Sequence, residues 1–316
     1  MLSKIFQFLR NWTLPLSMIL GGVAYPIFKP ITFTLPWLVF AMLLVTFCKV
    51  PLHDLKLKGV HFWLLLVQIG GSLVAYYAIK PMNILAAEGA LVCVICPTAT
   101  AAAVITDKLG GNAASLTTFT LLSNVGCAIA APILFPLLHP LGADISYFES
   151  FLIIMKKVVP LLICPFLLAM FLRRDTPKIH QRILQYPDLA FYLWAFALVV
   201  VMAQTMDTIA HSNEDPTVQI WIAIAALVVC CLQFMIGKLI GSRWNERISG
   251  GQSLGQKSTM FAVWMAHVYM TPITAIGAGS YVVWQNIINS WQLWHQRKME
   301  EAGKIDPKQK EGQSAK

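Results

Sequence analysis

Charge is scarce in this chain: Asp, Glu, Lys and Arg make up only 12% of its 316 residues. A soluble domain carries roughly 25% and needs a polar shell around its core. With 57% hydrophobic residues, the shortage excludes an ordinary water-soluble enzyme, a disordered chain and a secreted disulfide scaffold. Acid is scarcer than base, and no Asp or Glu lies between Glu246 and Glu300. The phosphate-cradling pattern G-x-x-x-x-G-K-[ST] is missing, which excludes ATP-driven work by this chain alone. No G-x-S-x-G occurs, the seven histidines stand singly, and no paired acids occupy the apolar stretches. An intramembrane enzyme is therefore not expected, and neither is a catalytic residue or a metal site. The seven cysteines, Cys48, Cys93, Cys96, Cys127, Cys164, Cys230 and Cys231, lie in apolar stretches and read as small packing residues. Cys93 and Cys96 form a C-x-x-C with no partner pair, too little for a metal centre.

What the chain does have is apolar windows of about 20 residues, the length that crosses a bilayer. They fall at 11–28, 33–50, 60–79, 83–106, 113–138, 147–172, 189–210, 217–240, 252–270 and 273–295. Lys4 and Arg10 before the first window also fit a signal peptide, but no cleavage site followed by a soluble domain is evident. The windows predict an all-α membrane protein with ten spans. With both termini placed in the cytoplasm, 19 Lys and Arg fall inside, and only Lys29 and Lys80 fall outside. The other three, Lys156, Lys157 and Lys257, lie within spans. This asymmetry is the positive-inside pattern. It accounts for the net charge of +9 without nucleic acid, and it places the chain as a multi-pass protein of the cell (inner) membrane. Residues 297–316 read as a charged cytoplasmic tail.

Five spans precede residue 140 and five follow it. An odd number per half gives the halves opposite orientations, so 1–140 and 141–296 read as inverted repeats of the kind secondary transporters use. Each half holds one weakened helix. In the fourth span Pro97 lacks an N–H and clashes with the preceding turn, with Thr98 and Thr100 following. In the ninth, Gly250, Gly251 and Gly255 weaken the helix among polar Gln252, Ser253, Gln256, Lys257, Ser258 and Thr259. Helices four and nine are thus expected to break and to approach each other. The half-helix N-termini would carry partial positive charge and suit an anion. Pro97 alone would also serve as a plain kink.

These residues resemble the bile acid:sodium symporter family, within the group that includes arsenite and auxin carriers. The stretch Cys96-Pro97 to Thr100, on to Gly111-Asn112 and Pro132, is similar to that family's crossover helix and the helix after it. Ala266-His267, Pro272 and Trp284-Gln285-Asn286-Ile287-Ile288-Asn289-Ser290 are similar to its last two helices, and Gln68 falls where it has a polar glutamine. The resemblance implies a core of spans 3–5 and 8–10, with spans 4 and 9 crossing. It implies a panel of spans 1, 2, 6 and 7, and a substrate crevice between the two. The chain departs where the family holds sodium. Ala102-Ala103 stands for a Ser-Asn pair. With Gly255 aligned, Ser253, Lys257 and Ser258 stand for the family's Glu, Gln and Asn. Ala, Ser and an ammonium do not make a sodium site, so this reads as a divergent member lacking the usual sodium ligands, with no cofactor expected.

The expected function is alternating-access transport of a small organic anion, not coupled to sodium at the usual sites. The alternative is an orthodox sodium:bile-acid-type symporter. The expected site comprises Pro97, Thr98, Thr100, Gly255, Lys257, Ser258, Thr259 and Asn286, supported by Gln68, Thr120, Asn124, His267 and Gln285. Lys257 leads, because a lysine near mid-membrane costs about 2.5–3.5 kcal/mol. It would act as a fixed charge in sodium's place, as a titrating amine, or as the direct partner of an anionic substrate. Lys156 and Lys157 would either face the crevice or snorkel. Besides the bilayer and the solute no partner is expected, and oligomeric state is left open.

Overall fold

A computed structural model describes residues 13, 15–50, 55–139, 142, 144–186 and 188–302. Lys4, Arg10 and most of the expected tail, 303–316, lie outside them. The described residues form helices α1 (15–23), α2 (Tyr25–Phe28), α3 (Leu35–Lys49), α4 (Gly59–Ile79), α5 (Ile84–Ile95), α6 (Ala102–Lys108), α7 (Ala113–Leu138), α8 (Tyr147–Asp175), α9 (Pro177–Leu184), α10 (Leu189–Ala210), α11 (Pro216–Ser242), α12 (Arg247–Gly255), α13 (Thr259–Tyr269) and α14 (Ala275–Glu301). Among the described residues no strand forms. α14 runs past the boundary expected at 296.

Helix starts follow local chemistry. Asn83 accepts from the Ala86 amide to cap α5, and Asn112 accepts from the Ser115 amide to cap α7. Ser146 and Glu149 close a capping box on α8. α9 is the exception to the apolar pattern: Lys178, His180, Gln181 and Arg182 make it a short polar helix on the side assigned to the cytoplasm.

Six segments are long and apolar enough to cross a membrane by length and composition: Tyr25–Lys49, α4, α7, α8, α10 and α11. Their outward faces are apolar as well, with Trp37, Phe62, Ile129, Met235 and Leu239 all exposed. A helix apolar on every side while only partly buried is solvated by lipid. α5, α6, α12 and α13 have 12, 7, 9 and 11 residues. Each is too short to span alone, because a 30 Å core needs about 20 residues at 1.5 Å each.

α3 lies against α8 and α10, α11 packs on α12, α5 and α14, and α4 packs on α5 and α7; α7 on α8, α10 on α14 and α3 on α13 join the two sets. α11 and α12 approach each other closely. A Cβ on Gly237 would strike the Gly250 carbonyl, and one on Gly241 the Glu246 carbonyl. Gly250 and Gly251 therefore do not break the ninth span as their glycine content suggested. They are helical, buried within α12, and let it lie backbone to backbone on α11.

Candidate functional site

The two interruptions meet. α5 ends at Ile95, as expected from Pro97: the residue before a proline is pushed out of the helical region, and Cys96 is extended at φ −55°, ψ 145°. α12 ends at Gly255, and Gln256 is extended at φ −98°, ψ 100°. Between them Thr98 and Lys257 form an antiparallel bridge. The Ala99 amide donates to the Gln256 carbonyl (2.9 Å) and the Ser258 amide to the Pro97 carbonyl (2.8 Å). The Thr98 hydroxyl donates to the Ser253 carbonyl (2.7 Å). Backbone groups freed by the breaks thus satisfy one another across the crossing.

Side chains hold the remaining groups in a matched pattern. On the first break, Gln68 of α4 donates to the Ile95 carbonyl (2.8 Å). Ser123 of α7 accepts from the Thr98 amide (3.0 Å) and donates to Gln68 Oε1 (2.7 Å). On the second, Tyr281 of α14 donates to the Gly255 carbonyl (2.8 Å), itself accepting from Gln233 of α11 (3.1 Å). Gln285 of α14 accepts from the Lys257 amide (2.9 Å). Gly255 leaves room for Phe234, whose ring a Cβ there would enter.

Lys257 is the outlying feature. Its side chain is 1% exposed, and its Nζ has no hydrogen-bond partner among the described residues. Its neighbours include the thiols of Cys93, Cys96 and Cys127, all buried, and no described ion pair engages it. A buried, unpaired amine costs several kcal/mol, so a fold that keeps one has a use for it or a partner still to arrive.

Beside the crossing a narrow cavity of about 20 Å³ opens between it and α3 and α10. Thr100, Lys257, Ser258, Thr259 and Gln285 line one wall; Val39, Met42, Leu43 and Trp194 line the other. The space suffices for about one water and not for an organic anion.

Of the residues expected at the site, Pro97, Thr98, Gly255, Lys257 and Ser258 come together at the crossing, and Thr100 and Thr259 line the cavity beside it. Gln68 and Gln285 brace the breaks. Asn286 does not line the cavity: its amide donates to the Val282 carbonyl one turn back (2.7 Å). Thr120 donates to the Leu116 carbonyl and Asn124 to the Thr120 carbonyl, both within α7. His267 is exposed near the end of α13, and Lys156 and Lys157 are exposed on α8. Sequence reasoning passed over Ser123, Gln233 and Tyr281. Each is a polar side chain in an apolar window, and that signal was available.

Comparison with known proteins adds two findings. The pattern that defines the SBF-like CPA transporter family matches residues 28–294. A Bacillus subtilis (strain 168) protein named "Uncharacterized sodium-dependent transporter YocS" is 21% identical over 210 residues, covering 65% of this chain. The match spans 62% of that relative's own length.

Proposed function

Because the chain belongs to the SBF-like CPA transporter family, a membrane transporter group, we propose that it is a secondary transporter of a small organic anion, working by alternating access across the α5–α12 crossing. In this reading ten spans form two inverted repeats, with α5–α6 and α12–α13 as the broken fourth and ninth spans. α4–α7 and α11–α14 are the core, and α1–α3, α8 and α10 the panel. Contacts near the helix ends support it by pairing residues assigned to one side: Lys29 with Asp207, Lys58 with Glu246, and Arg173 with the Val50 carbonyl. The cavity of about 20 Å³ fits a closed conformation, and separating the panel from the core would open it to solute.

The observation that carries the reading is the unpartnered side-chain nitrogen of Lys257 at the crossing, which in this reading is protonated when solute binds. A cation in a site with no described carboxylate favours an anionic solute. The same group argues against sodium there. Sodium needs several oxygens and a compensating negative charge, and an ammonium would repel it. Lys257 instead takes the ion's electrostatic place between the two breaks. The name of the Bacillus relative favours the other reading, a sodium symporter. Uptake of a carboxylate or sulfonate library into proteoliposomes separates the two. Under the proposal, uptake is indifferent to exchanging sodium for potassium at fixed pH. Collapse in potassium with recovery in sodium would establish the symporter reading, and preference for cationic solutes would remove the anion assignment.

A further inference from the structure

A second cavity, of about 370 Å³, opens on the outer face of the bundle between α11, α12 and α14. Its size falls within the roughly 300–1,000 Å³ of small-molecule sites. It shares no lining residue with the crevice at the crossing. Its walls are of two kinds. One end carries Lys238 and Arg247, and among the described residues neither makes an ion pair. Glu246, next to Arg247 in the chain, is already engaged by Lys58, Asn112 and Ser115. The rest is apolar and open to lipid: Met235, Leu239 and Trp291 are 52%, 62% and 57% exposed.

Two further features mark a built site. Gly251 leaves α12 bare where the Lys238 stem crosses it, and a Cβ there would meet Lys238 Cγ at 2.6 Å. Gln292 lines the cavity while only 8% exposed, and its Nε2 has no hydrogen-bond partner. Its Oε1 accepts from Gln252 of α12 at 3.5 Å. The groove thus offers two unneutralised cations above an apolar slot, with a buried amide lacking a partner in its wall. Lys238 and Arg247 lie on the side that the charge asymmetry assigns to the cytoplasm, where anionic headgroups attract basic residues.

We propose that this groove binds one anionic phospholipid of the inner leaflet, its phosphate between Lys238 and Arg247, its headgroup accepting from Gln292, and an acyl chain along Leu239 and Trp291. The bound lipid would brace α12, the half-helix that ends at the crossing. The site requires that the chain sits in a bilayer with Lys238 and Arg247 at the cytoplasmic face, and it stands or falls apart from the identity of the solute.

Native mass spectrometry of the full chain in detergent, titrated with phosphatidylglycerol or phosphatidylethanolamine, tests this. One phosphatidylglycerol is expected to bind with clear preference. At about 1 kcal/mol per basic residue, Lys238→Gln with Arg247→Gln should weaken it roughly 30-fold. Lys178→Gln with Arg182→Gln, on the polar α9, should not. Trp291→Ala should weaken both lipids. Equal binding of the two lipids, or unchanged retention in the Lys238/Arg247 variant, would overturn the proposal. So would competition by soluble glycerol phosphate at the lipid's own concentration, which would make the occupant a free anion.

Discussion

The two broken helices reach the same geometry by different means. The first has a proline that forbids the helix from continuing, and Gln68 and Ser123 then secure what it frees. The second has no proline. Gln256 and Lys257 could remain helical by propensity, yet they are extended because Tyr281 and Gln285 hold the Gly255 carbonyl and the Lys257 amide. One break is written into the covalent chemistry of a residue and the other is imposed by neighbours. The imposed one also carries Lys257, the only ionisable Lys, Arg, Asp or Glu at the crossing among the described residues. A break held open by tertiary contacts, with a buried amine at its centre, is the half better suited to rearrange.

The hardest test of that asymmetry is Lys257→Met. It keeps length and volume and removes the charge, so uptake should be lost. Thermal stability in detergent should rise at the same time, because an unsatisfied buried polar group costs about 1–3 kcal/mol and a charged one more. Lys257→Gln should not confer sodium dependence, since no carboxylate is supplied. A variant that transports normally would show the amine to be incidental. A variant that is both inactive and less stable would show that it is bonded within the fold.

Gly255→Ala comes next. The added methyl enters the Phe234 ring, and overpacking of this kind costs about 1–3 kcal/mol. Pairing it with Phe234→Leu should restore most of the loss in melting temperature. No restoration would mean that glycine is needed there for its backbone freedom instead.

How far the sequence carried depended on which physics set each feature. Pro97 announces its own break. The basic residues predict a sidedness, and the contacts near the helix ends pair residues that it assigns to one face. The glycines of the ninth span were visible, but Gly250 and Gly251 serve the α11 interface, which no local rule reveals. Gln285 and Asn286 are adjacent polar residues on one helix, about 100° apart in direction. Which of them meets the crossing is set by how α14 packs, and it is Gln285. A length-and-hydropathy rule in turn passes over α5, α6, α12 and α13, because the breaks leave each piece shorter than a membrane span.

The supports of the two breaks should prove equivalent although the breaks are not. Ser123→Ala strands the Thr98 amide and Gln68 Oε1; Tyr281→Phe strands the Gly255 carbonyl and the Gln233 amide. Each should cost about 1–3 kcal/mol in denaturation measurements. Pro97→Ala should cost less, about 0.4–1 kcal/mol from the freer unfolded chain, because Ser123 and the pairing with Gln256 and Ser258 still hold the segment open. A larger loss from Pro97→Ala than from Ser123→Ala would mean that the helix re-forms through residue 97. The first break would then depend on the proline alone.

The smallest effect compares the far ends of the same two short helices. α5 is tied through buried Glu88 to His139, with Nδ1 and Oε1 2.8 Å apart. α12 is tied through buried Glu246 to Lys58. His139 lies beyond the end of α7, and its hydrogen bond to Glu88 raises its pKa above the ordinary 6.5, against a smaller opposing effect of burial. The folded state therefore holds that proton more tightly than the unfolded chain. Its stabilising contribution is complete below pH 6.5 and fades as pH rises through the raised folded value. Hydrogen exchange of the α5 amides should thus quicken relative to those of α12 between pH 6 and pH 8, after correction for intrinsic rates. Glu88→Gln should abolish the difference, while Lys58→Gln should loosen α12 at every pH. Equal pH responses of α5 and α12 would show that the histidine tie contributes nothing to holding the first half-helix.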